Sequence, residues 1–220
     1  DTVNTFKSNL DNKIDKKPGK IINYNNIDIL NESKNIFAEG VYNSVIHGKN
    51  NILNTGSWLN NIEGQFNYSN TGISHIEGQY NSTYIGVSHV EGQYNISYGR
   101  ASHVEGQHNI SFGTASHAEG YNTQSKGNYS HAEGQDTQAL SYGAHSEGKH
   151  TIAMGDSSHA EGSTTKAEGW ASHSEGYNTQ TIGAYSHAEG AYNISYNAAS
   201  HVEGAYNISY GIGSHAEGYY

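Results

Sequence analysis

Ser88-His89-Val90-Glu91-Gly92-Gln93-Tyr94-Asn95-Ile96-Ser97-Tyr98-Gly99-Arg100-Ala101 is followed at once by Ser102-His103-Val104-Glu105-Gly106, the same opening 14 residues on. The pentapeptide Ser-His-x-Glu-Gly recurs eleven times at that spacing, from residues 74–78 to 214–218, and loses its serine once, at Ala144. A fixed short period marks a solenoid, in which each repeat is one structural unit stacked on the next.

Most repeats carry a second glycine, at Gly99, Gly113, Gly127, Gly155, Gly169, Gly183 and Gly211, with Asn197 in one equivalent place. Asn is the usual substitute where the backbone needs a positive φ, so both glycine positions read as left-handed corners. Two corners in 14 residues leave two short strands. The expected architecture is all-β: a flattened two-sheet roll of parallel strands, about 4.8 Å apart along the axis. A helical solenoid would need longer repeats and far fewer glycines.

Strand side chains alternate between faces. Ser, x and Gly share one face of the pentapeptide, and His and Glu share the other. In the second strand Asn or Thr shares a face with Ser or Ala. A coil this short has a thin interior, so the small residues point in. One outward row then holds His75, His89, His103, His117, His131, His145, His159, His173, His187, His201 and His215. The other holds Glu77, Glu91, Glu105, Glu119, Glu133, Glu147, Glu161, Glu175, Glu189, Glu203 and Glu217.

Solvated charged positions normally vary between repeats, and these do not. Uniform rows imply that every layer meets the same surroundings, which a coaxial homotrimer packing its His/Glu sheets together supplies. Such an interface specifies register more than it adds stability. One Glu for each His suggests pairing across the interface, which would raise the histidine pKa values.

Three regions follow. Residues 1–19 read as a short helical, coiled-coil stalk, with Val3, Phe6, Leu10 and Ile14 at helical spacing and Pro18-Gly19 as the stop. Residues 20–73 read as degenerate capping coils. Ile21-Ile22-Asn23-Tyr24 and Ile27-Asp28-Ile29-Leu30 suggest strands, and Phe37-Ala38-Glu39-Gly40 and Asn61-Ile62-Glu63-Gly64 match the pentapeptide without its histidine. Residues 74–220 are the regular array.

Composition agrees with a solenoid and not with an ordinary core. Of 220 residues 27 are Gly and 18 Tyr, and only 34% are hydrophobic. A formal net charge of −10 leaves no basic patch for nucleic acid or an anionic membrane. There is no cysteine, hence no disulfide framework and no thiolate metal site. No apolar run is long enough to span a bilayer.

The pattern S-H-A-E-G-x-x-T-x-S-x-G is similar to the S-V-A-I-G-x-x-A-x-A-x-G repeat of trimeric autotransporter adhesin heads, the YadA-like head. The resemblance covers residues 74–220 well and 36–73 loosely. It implies a homotrimeric left-handed parallel β-roll. Val and Ile of that repeat are His and Glu here, which implies a polar interface in place of a dry one. S-H-A-E-G arrays also look like those of tail-fibre and appendage proteins of phages and prophages. The resemblance thus implies a non-enzymatic structural or adhesive shaft, or a receptor-binding segment, in a virion. The alternative it implies is the head of a bacterial trimeric adhesin at the cell surface.

Chemical readings fare worse. His-x-Glu opens the zinc deaminase signature, but that signature needs a later Pro-Cys-x-x-Cys, and this chain has no cysteine. Trimeric left-handed acyltransferases use an 18-residue coil built from hexapeptides. No catalytic residue and no cofactor are assigned. For metal, a His–Glu hydrogen-bond ladder is the simpler account, because divalent ions in every layer would repel one another strongly. Aromatics beside the turns, Tyr80, Tyr94, Tyr98, Phe112, Tyr192, Tyr196, Tyr206 and Tyr210, are the candidates to face a host carbohydrate or protein receptor. A stacking ladder covering the turns is the simpler role for them.

Overall fold

The computed structural model describes residues 21–24, 27–30, 35–37, 41, 43–54, 56–70 and 72–219. The stalk expected over residues 1–19 lies outside them. The described chain is an all-β solenoid of two sheets, one of fifteen strands and one of thirteen. Ile21–Tyr24 pairs antiparallel with Ile27–Leu30, so both expected strands are present and form a hairpin. Every later pairing is parallel. His89 lies over His75 and His103 lies over His89, with Val, Glu and Gly in the same register.

The long strands run through the pentapeptides, as in Val87–Gln93 and His131–Gln135. The short strands have two residues each, as in Ile96–Ser97 and Gln138–Ala139. Two residues suffice because each strand borrows its partners from the coils above and below. Ile96 N donates to Asn109 O at 2.9 Å and Tyr98 N to Ser111 O at 2.8 Å.

The interior is as thin as alternation requires. Ser88, Val90, Asn95 and Ser97 are buried, and His89 and Glu91 lie half-exposed on the outer face. The middle coils have a core of little but alanine, in which Ala132, Ala139, Ala144, Ala153, Ala160 and Ala167 are fully buried. Ile46, Leu53, Ile62 and Ile76 give the first coils a larger apolar core.

Buried polar groups are bonded between coils. Asn81 Nδ2 donates to Gly92 O at 2.8 Å in the next coil and to Glu77 O at 2.9 Å in its own, and Asn81 Oδ1 accepts the Asn95 N–H at 3.0 Å. From Asn67 to Asn109 this amide ladder closes corner groups that no sheet reaches. From Thr123 to Thr179 threonine takes its place, and its hydroxyl finds a partner either in the amide of the preceding coil, as Thr123 Oγ1 donates to Asn109 Oδ1 at 2.9 Å, or in a serine at the neighbouring x position. Ser146 bonds Thr151 at 2.7 Å and Ser174 bonds Thr179 at 2.8 Å. The residues preceding Thr137 and Thr165 in the same place are Ala132 and Ala160, and both threonine hydroxyls are buried without a partner.

The two glycines serve different ends. Gly92 has φ +102°, and a Cβ there would stand 1.9 Å from the Gly106 carbonyl oxygen. Gly99 corrects the expectation of a left-handed corner. Its φ is not positive; it is glycine because a Cβ would lie 2.0 Å from Gly113 O. Asn197 is likewise not at positive φ. The left-handed residues of that turn come two later, at Ala101 (φ 58°), Ala115 (φ 52°) and Ala199 (φ 55°). The other turn uses Tyr80, Tyr94, Tyr192 and Tyr206, at φ 57–63°.

The first coils also differ from expectation. Phe37 pairs with Leu53 in the short-strand sheet and not in the sheet of the pentapeptides; residues 38–40 lie outside the described residues. The equivalent strand is Val45–Lys49, whose His47 stands in the glutamate row over Glu63. Asn61 does lie under His75, as the period requires. The register step is 16 residues from Val45 to Asn61 and from Ile52 to Tyr68. The extra residues of the second step lie between Leu53 and Asn61, where Trp58 and Leu59 are exposed.

Two substitutions test the interior in opposite directions. Asn95→Ala strands the Asn109 N–H and takes the side-chain donor from the Gly106 carbonyl, and lowers stability by about 2 kcal/mol in urea unfolding. Ala160→Ser gives Thr165 the partner that Ser146 and Ser174 provide elsewhere, and raises stability by about 1 kcal/mol.

Candidate functional site

In-register stacking turns the histidine row into a column of imidazoles. Ring centroids of successive histidines are 4.5 Å apart from His117 to His131 and 4.7 Å from His131 to His145, and the column runs from His75 to His215. Strand alternation puts the glutamate two residues along on the same face. Each Nε2 therefore looks at a carboxylate of its own chain: 2.7 Å for His89–Glu91, 3.3 Å for His117–Glu119 and 3.9 Å for His159–Glu161. His187 instead faces Glu175 of the preceding coil at 3.7 Å. The structure brings the two rows together as a half-exposed face of the fifteen-stranded sheet.

Most of these contacts are too long to be hydrogen bonds. The Nε2 atoms of His103, His117, His131, His145, His159, His173, His187 and His201 are shielded from solvent and have no hydrogen-bond partner. Within the single chain the resolved shifts run downward, opposite to the rise expected from pairing across an interface. His131 is pushed down to about 4, first by burial and then by His117 and His145 stacked on either side; Glu119 only partly offsets them. His159 is lowered for the same reasons, with His145 and His173 as its neighbours and Glu161 and Glu147 opposing. Counting one glutamate per histidine misses that every ring from His89 to His201 also has two rings against it.

The aromatic candidates all lie at the surface and stack along the axis within one chain. Tyr80 and Tyr94 are parallel at 4.9 Å, Tyr192 and Tyr206 at 4.8 Å, Tyr98 and Phe112 at 5.1 Å, and Tyr196 and Tyr210 at 5.0 Å. Sequence reasoning omitted Phe66 and His108, which continue the first column below Tyr80 and above Tyr94. The 14-residue period places both in that row. Tyr94, Ile96, His108, Ile110, Tyr121 and Asn122 line a shallow hollow of about 480 Å³. Aromatic and aliphatic side chains share this open hollow with an imidazole and an amide.

No family model matches the chain, and no curated protein matches it. What the geometry establishes is its class: a parallel β-solenoid of 14-residue coils, consistent with a β-roll repeat.

The pKa direction sets a pH dependence. An imidazole whose pKa is lower folded than unfolded binds fewer protons in the native state, so stability falls as pH drops. The window runs from the unfolded value near 6.5 to about 4 for His131. Thermal midpoints therefore decline from pH 7 to pH 4. In His131→Gln/His159→Gln that decline is shallower; equal slopes in the two proteins would contradict the assignment.

Proposed function

We propose that the chain is a non-enzymatic shaft or receptor-binding segment of a phage or prophage tail fibre or a related appendage, assembled as a homotrimer of left-handed rolls. The observation that carries this reading is the uniformity of the His/Glu face. The eleven pentapeptides keep His and Glu while the outward residue of the short strand changes from Ile96 and Ile110 to Gln124, Gln138 and Lys166. A solvated face would drift in the same way. A face repeated without change for eleven layers fits a partner with the same period, and a second copy of the chain has that period. The resemblance to trimeric roll repeats supplies the threefold arrangement and the hand.

A stiff, coil-by-coil rod suits a spacer. Its outer turns present the tyrosine columns, and the net charge of −10 favours a carbohydrate or protein receptor over nucleic acid or membrane. Tyr94 and Tyr206 sit where other coils hold Asn122 and Asn178, which share their positive φ. Asparagine there removes the ring and keeps the backbone.

Sedimentation equilibrium should give three times the chain mass of 23.8 kDa at micromolar concentration. A monomer at all concentrations contradicts the assembly. Tyr94→Asn/Tyr206→Asn should keep that mass and weaken attachment to host cells at least tenfold. Undiminished attachment would leave the segment a spacer only.

A further inference from the structure

We propose that the His–Glu face between His145 and Glu189 holds borderline divalent transition-metal ions of the Zn²⁺, Co²⁺ and Ni²⁺ class, each ion bound by imidazole nitrogen and carboxylate oxygen from two successive coils of one chain. Three ligand sets there have all their donor atoms within 4.8 Å of one another: His145 with Glu147 and His159; His159 with Glu161 and His173; and Glu175 with His187 and Glu189.

A second, independent observation points to a ligand. The Nε2 atoms of His145, His159, His173 and His187 are shielded from water and have no hydrogen-bond partner. A lone pair on Nε2 would point at a carboxylate, and an N–H there stands 3.7–3.9 Å from the carboxylate oxygen, outside hydrogen-bond distance. A cation between the two groups removes the conflict, because both donate electron pairs to it. Nitrogen and oxygen bonds of about 2.0–2.2 Å around one Zn²⁺ put neighbouring donor atoms roughly 3.3 Å apart. The Nε2-to-carboxylate separations are 3.8 Å for His145–Glu147, 3.9 Å for His159–Glu161 and 3.7 Å for His187–Glu175. They exceed a hydrogen bond and fall about half an ångström outside a coordination sphere, within reach of a small ring tilt. Imidazole with carboxylate suits this class of metal.

The ladder limits its own loading. The first two sets share His159, so one ion fills one or the other. Repulsion from an ion at His187 favours the more distant set, His145 with Glu147 and His159, about two coil spacings or roughly 10 Å away. This segment therefore takes two ions per chain. The ligands lie within one chain, so the proposal does not depend on the trimer.

The test is equilibrium dialysis of tag-free, EDTA-treated protein against Co²⁺ at pH 7.5, with the visible Co²⁺ spectrum recorded. His159 belongs to both overlapping sets, so His159→Gln should bind one Co²⁺ fewer than the unmodified chain. Glu161→Gln leaves the preferred set whole and should bind the same number. Glu175→Gln, in the separate set, should also lose one, which keeps the test open if His159→Gln does not fold. Absence of bound Co²⁺, or equal loading of the unmodified chain, His159→Gln and Glu175→Gln, overturns the proposal. Loading at one ion per three chains would place the metal between chains and overturn it as well.

Discussion

Neighbouring coils come so close at the pentapeptide glycine that no Cβ fits between them. From Gly92 a Cβ would meet the Gly106 carbonyl oxygen at 1.9 Å, and the same is true from Gly64 to Gly78. That contact holds successive coils at hydrogen-bonding distance and leaves one register. A 14-residue step follows, and with it the rule that each side chain lies over its own copy. Strands of two residues, unstable alone, then form a thirteen-stranded sheet.

Stacking like on like has opposite consequences for different residues. An asparagine over an asparagine completes a hydrogen-bond chain, so the amides at Asn67, Asn81 and Asn95 reinforce one another in the core. A tyrosine over a tyrosine gains about 0.5–1.5 kcal/mol of ring contact. That offsets the cost of about 1 kcal/mol for holding a non-glycine residue at the φ of Tyr94. A histidine over a histidine is favourable while neutral and unfavourable once charged, which is why His131 resists protonation despite its glutamates. A stack of neutral imidazoles is suited to meet a cation or a matching polar face.

The period, the two strands per coil and the inward set of Ser, x, Asn or Thr, and Ser or Ala were all legible in the sequence, because alternation and glycine spacing act locally. The outward placement of His89 and Glu91 followed from the same alternation. What was not legible depends on contacts between coils. Gly99 looks like a left-handed corner from its Asn197 counterpart, but its reason is a carbonyl in the next coil. Phe37-Ala38-Glu39-Gly40 resembles the pentapeptide, yet two 16-residue coils shift Phe37 into the other sheet. The direction of the His131 pKa needed the ring-to-ring distances, which composition does not contain.

Removing one whole coil tests the register constraint most directly. Deleting residues 123–136 joins Asn122 to Thr137 as it was joined to Thr123, and keeps every later side chain on its face. Deleting residues 124–136 removes one residue fewer and turns that coil's inward side chains outward. Thermal unfolding followed by far-ultraviolet circular dichroism should show a cooperative transition for the 14-residue deletion, with a midpoint within a few degrees of the full chain. The 13-residue deletion should lose cooperativity and melt far lower. Indistinguishable melting of the two deletions would contradict the claim that in-register stacking holds this fold together.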